Sequence, residues 1–351
     1  MNRAKMSGTI KFAVVGAGHM GANHIKKVRA IGDRVGARVS VIVEPDELRA
    51  GATLREFAGH PHPPEVIANI GDLSNLGPTN KPDAAIIAVP ASIHKEATLA
   101  CLDKGLHCLV EKPLGFSAID CRELGDKARE KGKVLQVGLI ERWSLANLWG
   151  GWRPERHSPW TIHAERRGPF VPRAADTDVI HDLMVHDLDL FCLVSKVFSL
   201  PAVKDVSAWG RRLRSDFIDQ AQVSLHLEDG GEARFFASRL SAESSRSWEL
   251  TGPDWHASID FMRRSLKRFE KMGRDQNSFI ARENSWSGGD PLGLEIEAFV
   301  NSLRGSYTVA PDVAQGSFDF CRPEELEPDS DSALCTHEII DRILSTIKVL
   351  G

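Results

Sequence analysis

The sequence predicts an α/β chain in two parts: an N-terminal doubly wound parallel sheet, then a second α/β domain with a large open, mostly antiparallel sheet. Three observations carry this prediction. The chain has 351 residues, more than one ordinary hydrophobic core organises. Up to residue 140, apolar strands alternate with helices through short connections, the pattern of a parallel sheet covered on both faces. After residue 140 that rhythm gives way to runs with a period of two, which suit strands covered on one face only. The expected division is 1–140 for the first domain, 141–332 for the second, and a C-terminal helix over 333–351.

The first strand is Lys11–Val15, in "KFAVVGAGHMGANHIKKV". It runs directly into a G-x-G-x-x-G turn, Gly16, Gly18 and Gly21, that also holds His19 and Met20. Gly16 suits the tight turn, Gly18 lets backbone approach a pyrophosphate, and Gly21 lets the following helix pack against the strand. The helix N-terminus then offers N–H groups and a partial positive charge to phosphates. "RVSVIVEP" is the second strand and ends at Glu44. An acid there can bond the ribose hydroxyls of a dinucleotide and repel a 2′-phosphate, so NAD is expected, with Arg49 nearby keeping NADP as the second choice. "DAAIIAVP" (83–90), "HCLVEKP" and "KVLQVG" (133–138) are further strands; 92–104 and 117–131 are helices, the latter with a Ser-x-x-Asp start. Ligands of such sheets bind beyond the carboxyl ends of the strands, where Val89, Pro90, His94, Glu111, Lys112 and Gly138 fall.

In the second half a helix is expected near 177–196. "QAQVSLHLE" alternates cleanly, "DGGE" (229–232) is a hairpin turn, and "ARFFASRL", "SWELTG" and "HASIDF" continue a meander. "GLEIEAFVNSLRG" reads as a helix ending at Gly305. The basic run over 263–271 is expected to be a solvated edge, and 321–332 a turn-rich excursion before the last helix.

Composition narrows the function classes. Hydrophobic residues are 42% and charged residues 26%, with a formal charge of −4, so no nucleic-acid partner is expected. No apolar run approaches the ~20 residues that span a bilayer. The N-terminus lacks the apolar core of a secretory signal and reads as a frayed leader. Six cysteines, Cys101, Cys108, Cys121, Cys192, Cys321 and Cys335, show no metal-binding spacing. They are expected to be reduced core residues of a cytoplasmic protein, with no metal site.

Most unusual is "VIHDLMVHDLDLF" (179–191), an apolar helix threaded with His181, Asp182, His186, Asp187 and Asp189. Taken in order, the glycine turn, "VEKPLG" (110–115) and the D-x-x-x-H of Asp182 and His186 resemble the Gfo/Idh/MocA family of nicotinamide-dependent oxidoreductases, over nearly the whole chain. The resemblance implies a Rossmann domain, and a second domain whose open sheet joins subunits as a homodimer or homotetramer. It implies as substrates sugars, cyclitols or their nucleotide conjugates. "GLIERW" (138–143), "RRGPF" and the helix itself resemble the branch that contains UDP-N-acetylglucosamine 3-dehydrogenases, whose products feed a cell-envelope lipid. That branch carries Val-Gly-His-x-Glu-Arg-Phe-Asn-Pro-Ala; this chain has Leu139, Trp143, Ser144 and Leu145 where the branch has His, Phe, Asn and Pro. An inositol or free-sugar dehydrogenase is one alternative, and a non-catalytic dinucleotide-sensing protein another.

By the same resemblance Lys112, Asp182 and His186 form the catalytic set, with Glu141, Arg142 and Arg167 as substrate residues. Alcohol oxidation needs a base at the hydroxyl and a group to hold charge growing on oxygen. His186 titrates near neutrality and suits the first role, Lys112 the second, and the two could exchange. Asp182 and His186 lie four residues apart, hence on one helix face, which is expected to point into the cleft between domains. Asp187 and Asp189 are read as structural or solvated, Glu111 as a brace for the strand end, and Lys112–Pro113 as a candidate cis peptide.

Overall fold

A computed structural model describes residues 6–150, 152–154, 160–171, 177–271, 279–287, 289–305 and 326–350. The start of the expected leader, Cys321 and the first part of the 321–332 excursion lie outside the described residues. In chain order the first elements are β1 (Ile10–Val15), α1 (His19–Val35), β2 (Ala37–Val43), α2 (Glu47–Arg55), β3 (Glu65–Ile67), β4 (Ala84–Ile87), α3 (His94–Asp103), β5 (His107–Glu111), α4 (Ala118–Glu130), β6 (Leu135–Gly138) and α5 (Glu141–Trp149). There follow β7 (Thr161–Arg167), α6 (Val185–Phe198), β8 (Val203–Arg211), β9 (Gln220–Leu227), β10 (Glu232–Ser238), β11 (Ser245–Gly252), β12 (Trp255–Asp260), β13 (Ser265–Lys271), β14 (Phe279–Ser285), α7 (Pro291–Leu303), α8 (Ser330–Thr346) and β15 (Lys348–Leu350).

The chain divides into two units. The first holds the described residues of Met1–Ile140, Asp290–Ala310 and Glu327–Leu334. Its sheet has six strands in the order β3-β2-β1-β4-β5-β6, all pairs parallel. Successive residues of β1 feed opposite faces. Ile10, Phe12 and Val14 join a core with Ile25 and Val28 of α1, while Ala13 and Val15 join one with Cys101 of α3 and Leu124 of α4. Two-sided burial is why these strands read as unbroken apolar runs. Ser117 caps α4 by accepting from the Asp120 N–H at 3.2 Å, as its Ser-x-x-Asp start requires.

The expected second domain ran unbroken to residue 332, but α7 belongs to the first unit. Its Phe299 stacks on Phe12 with ring centroids 6.0 Å apart, and Ile296, Val300 and Leu303 fill the face that α1 covers. An apolar stripe states that a helix will pack, and cannot state on which sheet.

The second unit is built on a nine-stranded sheet, β14-β13-β12-β11-β7-β10-β9-β8-β15. It is antiparallel except for the pairs β7–β10 and β8–β15. Ala221, Val223, Leu225 and Leu227 of β9 are buried, and the intervening residues are half-buried or exposed, so one face of this strand is covered. Phe191 of α6 meets Phe235 of β10 edge-on at 5.8 Å. Two expectations are corrected. The basic run 263–271 is not an edge, because β13 pairs with β12 and β14 on its two sides. The last helix stops at Thr346, and Lys348–Leu350 forms a parallel strand against β8.

Candidate active site

The first unit gathers its expected site residues at the carboxyl ends of β1, β2, β4 and β5. Gly16 has φ +91°, and a Cβ there would lie 2.7 Å from the Ala88 carbonyl oxygen. A Cβ on Gly21 would meet the Gly16 carbonyl oxygen at 1.8 Å. Both positions therefore demand glycine, one for turn geometry and one for close approach. Around Gly18 a Cβ would meet nothing within 4 Å. This residue is the N-cap of α1, contributes no side-chain cap, and is followed by no acidic residue in the first turn. His19 is exposed beside Asn23, and Met20 is half-buried.

Glu44 is buried and ties two segments together. One carboxylate oxygen accepts from the Ala17 N–H at 2.8 Å, the other from the Asp46 N–H at 3.0 Å. Asp46 in turn caps α2 by accepting from the Leu48 and Arg49 N–H groups. The acid expected at the ribose thus also holds the glycine turn against the end of β2.

Lys112 is half-buried immediately after β5, and its peptide bond to Pro113 is cis. On its N-terminal side Glu111 is buried, with the His24 Nε2 2.6 Å from its carboxylate. Burial pushes the Glu111 carboxyl up, and the His24 hydrogen bond and charge, with Lys112 and His94, overcome that and leave it below its usual range. On the other side the His94 ring is fixed between two carbonyl oxygens, Pro113 at 2.6 Å and Val89 at 3.0 Å. Burial lowers the His94 pKa despite those two contacts. A neutral imidazole carries one N–H, so the ring donates to one of these carbonyls and packs against the other, between the Val89–Pro90 turn and the loop after Lys112. Glu295 of α7 is fully buried, and burial together with the Glu111 charge pushes its carboxyl well above the ordinary range.

In the second unit the expected helix starts irregularly. Ile180–Met184 is a π-helical turn, in which the Val185 N–H reaches back to the Ile180 carbonyl. Single π turns recur at functional sites. Asp178 stabilises its start by accepting from the Ile180 and His181 N–H groups, and its other oxygen meets His181 Nδ1 at 2.8 Å. Asp182, within the turn, and His186, in the first turn of α6, are both half-buried, His186 between buried Val185 and Asp187 and Asp182 between buried His181 and half-buried Leu183.

The other acids of this segment are buried and ion-paired. Asp187 binds Arg166 through two contacts of 2.8 and 3.1 Å and accepts from Trp248 Nε1 at 2.9 Å. Asp189 binds Arg142 at 2.7 and 2.5 Å. Glu141 accepts from Arg166 at 3.1 Å and Arg246 at 2.9 Å. Burial works against the Arg166 charge, and Asp187 and Glu141 overcome it, holding that guanidinium above its ordinary pKa. Glu141 and Arg142, expected to border the substrate, are only 6% and 2% exposed and lock α5 to α6 and β7. Arg167 alternates to the other face of β7, pairs with Glu165 at 2.8 Å and lies over the Phe236 ring.

Residues 10–139 match the model of an oxidoreductase family with an NAD-binding Rossmann fold. The chain is 30% identical over 319 residues to the UDP-N-acetylglucosamine 3-dehydrogenase of Acidithiobacillus ferrooxidans, covering 88% of this chain and 93% of that protein. The chain belongs to the Gfo/Idh/MocA oxidoreductase family. A solved structure of the Acidithiobacillus enzyme superimposes with a TM-score of 0.76 at 25% identity, over 97% of this chain and 98% of the other. An inositol 2-dehydrogenase of Mycolicibacterium gilvum is 30% identical over 213 residues, 56% of each chain.

The residues present fit the family's dinucleotide: an open Gly18 at an uncapped helix start, and a buried acid at the end of β2. The four departures from the branch pattern, Leu139, Trp143, Ser144 and Leu145, are all buried, so they act through packing. Sequence reasoning missed His24 and Glu295. Each is a polar residue on the buried stripe of a helix, beside Ile25 or Ile296, and that break in the stripe was the available signal. Among the described residues no cluster of acids, histidines or cysteines could hold a metal, and no helix is long and apolar enough to cross a membrane.

Proposed function

We propose that this enzyme oxidises a secondary alcohol of a nucleotide sugar with NAD, most concretely UDP-N-acetylglucosamine at C3. The observation that carries this reading is the 30% identity to a UDP-N-acetylglucosamine 3-dehydrogenase over 88% of the chain. Bound nicotinamide supplies a hydride acceptor. His186 removes the hydroxyl proton, and Lys112 holds the oxygen as negative charge grows on it. Asp182 orients and charge-stabilises its neighbours. Gly16, Gly18, His19, Met20 and Gly21 form the phosphate turn, Glu44 faces the ribose, and Val89, Pro90, His94 and Glu111 support the nicotinamide end. Arg167, on the exposed side of β7, remains a candidate substrate residue. The less covered face of the nine-stranded sheet is the surface proposed to join copies into a homodimer or homotetramer, which light scattering of the purified protein measures directly.

The test of activity is a turnover screen with NAD, following absorbance at 340 nm, with products identified by mass. UDP-N-acetylglucosamine should lose two hydrogens and give a 3-keto sugar. Turnover of inositol or a free hexose with none of any UDP-sugar would replace this substrate with the family alternative.

A further inference from the structure

Cys335 contradicts the expectation that the cysteines are core residues. Cys101, Cys108, Cys121 and Cys192 are buried, whereas Cys335 is exposed on α8. The Cys335 sulfur lies 3.1 Å from that of Cys192 on α6, although 143 residues separate them in sequence. We propose that Cys192 and Cys335 are a reversible thiol–disulfide modification site, oxidised by hydrogen peroxide.

The pair has the asymmetry that two-step oxidation requires: one thiol that solvent reaches and one that it does not. A covalent S–S bond of about 2.05 Å needs the sulfurs to close by only about 1 Å. Cys101 and Cys108 are poor candidates for the attack on peroxide, since both are buried and burial pushes Cys101 up to about 12 and Cys108 well above its ordinary value; Cys192 is raised too, by its hydrogen bond with Cys335 and by burial, and takes only the second step, toward a sulfur already 3.1 Å away. Cys335 is shifted the other way, first by its hydrogen bond with Cys192, with Arg142 also contributing. A depressed pKa raises the fraction of thiolate, the nucleophilic form.

The chemistry balances. The Cys335 thiolate attacks one oxygen of peroxide, the O–O bond breaks, and hydroxide leaves and is protonated to water, giving a sulfenic acid. The Cys192 sulfur then attacks the sulfenic sulfur. The S–O bond breaks, and the thiol proton leaves with hydroxide as a second water. Two thiols and one peroxide become one disulfide and two waters, with two electrons passed to the peroxide. The bond would tether α6, which carries His186 in its first turn, to the C-terminal helix. Thr336, next to Cys335, already contacts Asp189 of α6 at 3.5 Å.

The experiment treats the full-length protein with equimolar hydrogen peroxide, blocks remaining thiols by alkylation, and maps peptides by mass spectrometry. One peptide pair linking residues 192 and 335 is expected, lighter by two hydrogens and separated by dithiothreitol. In Cys335→Ser, Cys192 should stay reduced. In Cys192→Ser, Cys335 should stall as a sulfenic acid that dimedone traps. The oxidised wild type should unfold at a higher temperature than the reduced form, because the cross-link restricts the unfolded chain, and neither single variant should show that rise. The proposal fails if both thiols remain alkylatable after peroxide. It also fails if Cys335 proceeds to a sulfinic acid with Cys192 still reduced, or if the links join Cys335 residues of separate molecules.

Discussion

Two sets of polar side chains sit on the same stretch of helix and are treated in opposite ways. Asp187 and Asp189 are 3% and 1% exposed and are each gripped by an arginine. Asp182, inside the π-helical turn, and His186, in the first turn of α6, remain half-buried. The first pair explains how an acid-rich helix survives burial: each charge meets a bidentate guanidinium, so its desolvation is offset. The second pair lies on the only part of the segment where polar groups keep partial access to solvent. One sequence run therefore carries both a structural fastening and candidate chemistry, and exposure separates them.

The sharpest test of that division is to cut each set and ask what fails. His186→Ala and Lys112→Ala should each lower kcat by ~10²–10⁴ while NAD affinity and the melting temperature stay near wild type. Full activity in either variant would break the assignment of roles. Asp189→Ala should do the reverse. Leaving Arg142 buried without its partner should cost about 3–5 kcal/mol of stability, read by denaturant unfolding. Pairing that change with Arg142→Met should recover most of the loss, since removing both charges leaves none stranded. If the double variant is as unstable as the single one, the pair is doing something other than neutralising charge.

How much of this was legible depended on sequence distance. The glycine turn, the hairpin at 229–232 and the cap at Ser117 rest on residues a few positions apart, and all stand where the spacing placed them. Lys112 and the D-x-x-x-H pair were found through a family pattern, which needs no contact to be known. The partners of Asp187 and Asp189 were not legible, because Arg166 and Arg142 are 21 and 47 residues away and no local period links them. The same reason hid the return of α7 to the first sheet and the meeting of Cys192 with Cys335. The burial of Glu141 and Arg142 was not legible either, because Asp189, Arg166 and Arg246, which pair with them, lie 47, 25 and 105 residues away.

The contrast between structural and candidate chemical groups extends to the first unit. Glu44 serves the fold through Ala17 and Asp46 and, on the present reading, the cofactor as well. Glu44→Ala should therefore relax discrimination against NADP by roughly 10- to 100-fold, as expected when a like-charge clash is removed, and should also weaken NAD binding through a looser turn. Unchanged selectivity in kcat/KM for the two cofactors would confine Glu44 to the structural role.

Glu295 supplies the smallest effect and the cleanest sign. Burial and the Glu111 charge raise its folded pKa well above 4.5. In the unfolded chain it titrates near the ordinary value, so between the two pKa values the native state binds more protons than the unfolded state. Stability then falls as pH rises through that window, by at most about 1.4 kcal/mol per pH unit. Below the unfolded pKa both states are protonated and the slope vanishes. Glu295→Gln keeps the shape and removes the titration. Its stability relative to wild type should therefore be nearly constant in acid and grow more favourable as pH climbs above 4.5, until the folded pKa is passed. Parallel unfolding curves for the two proteins at pH 5 and pH 8 would show that Glu295 is ionised in the native state, and hence that it and Glu111 are held charged together.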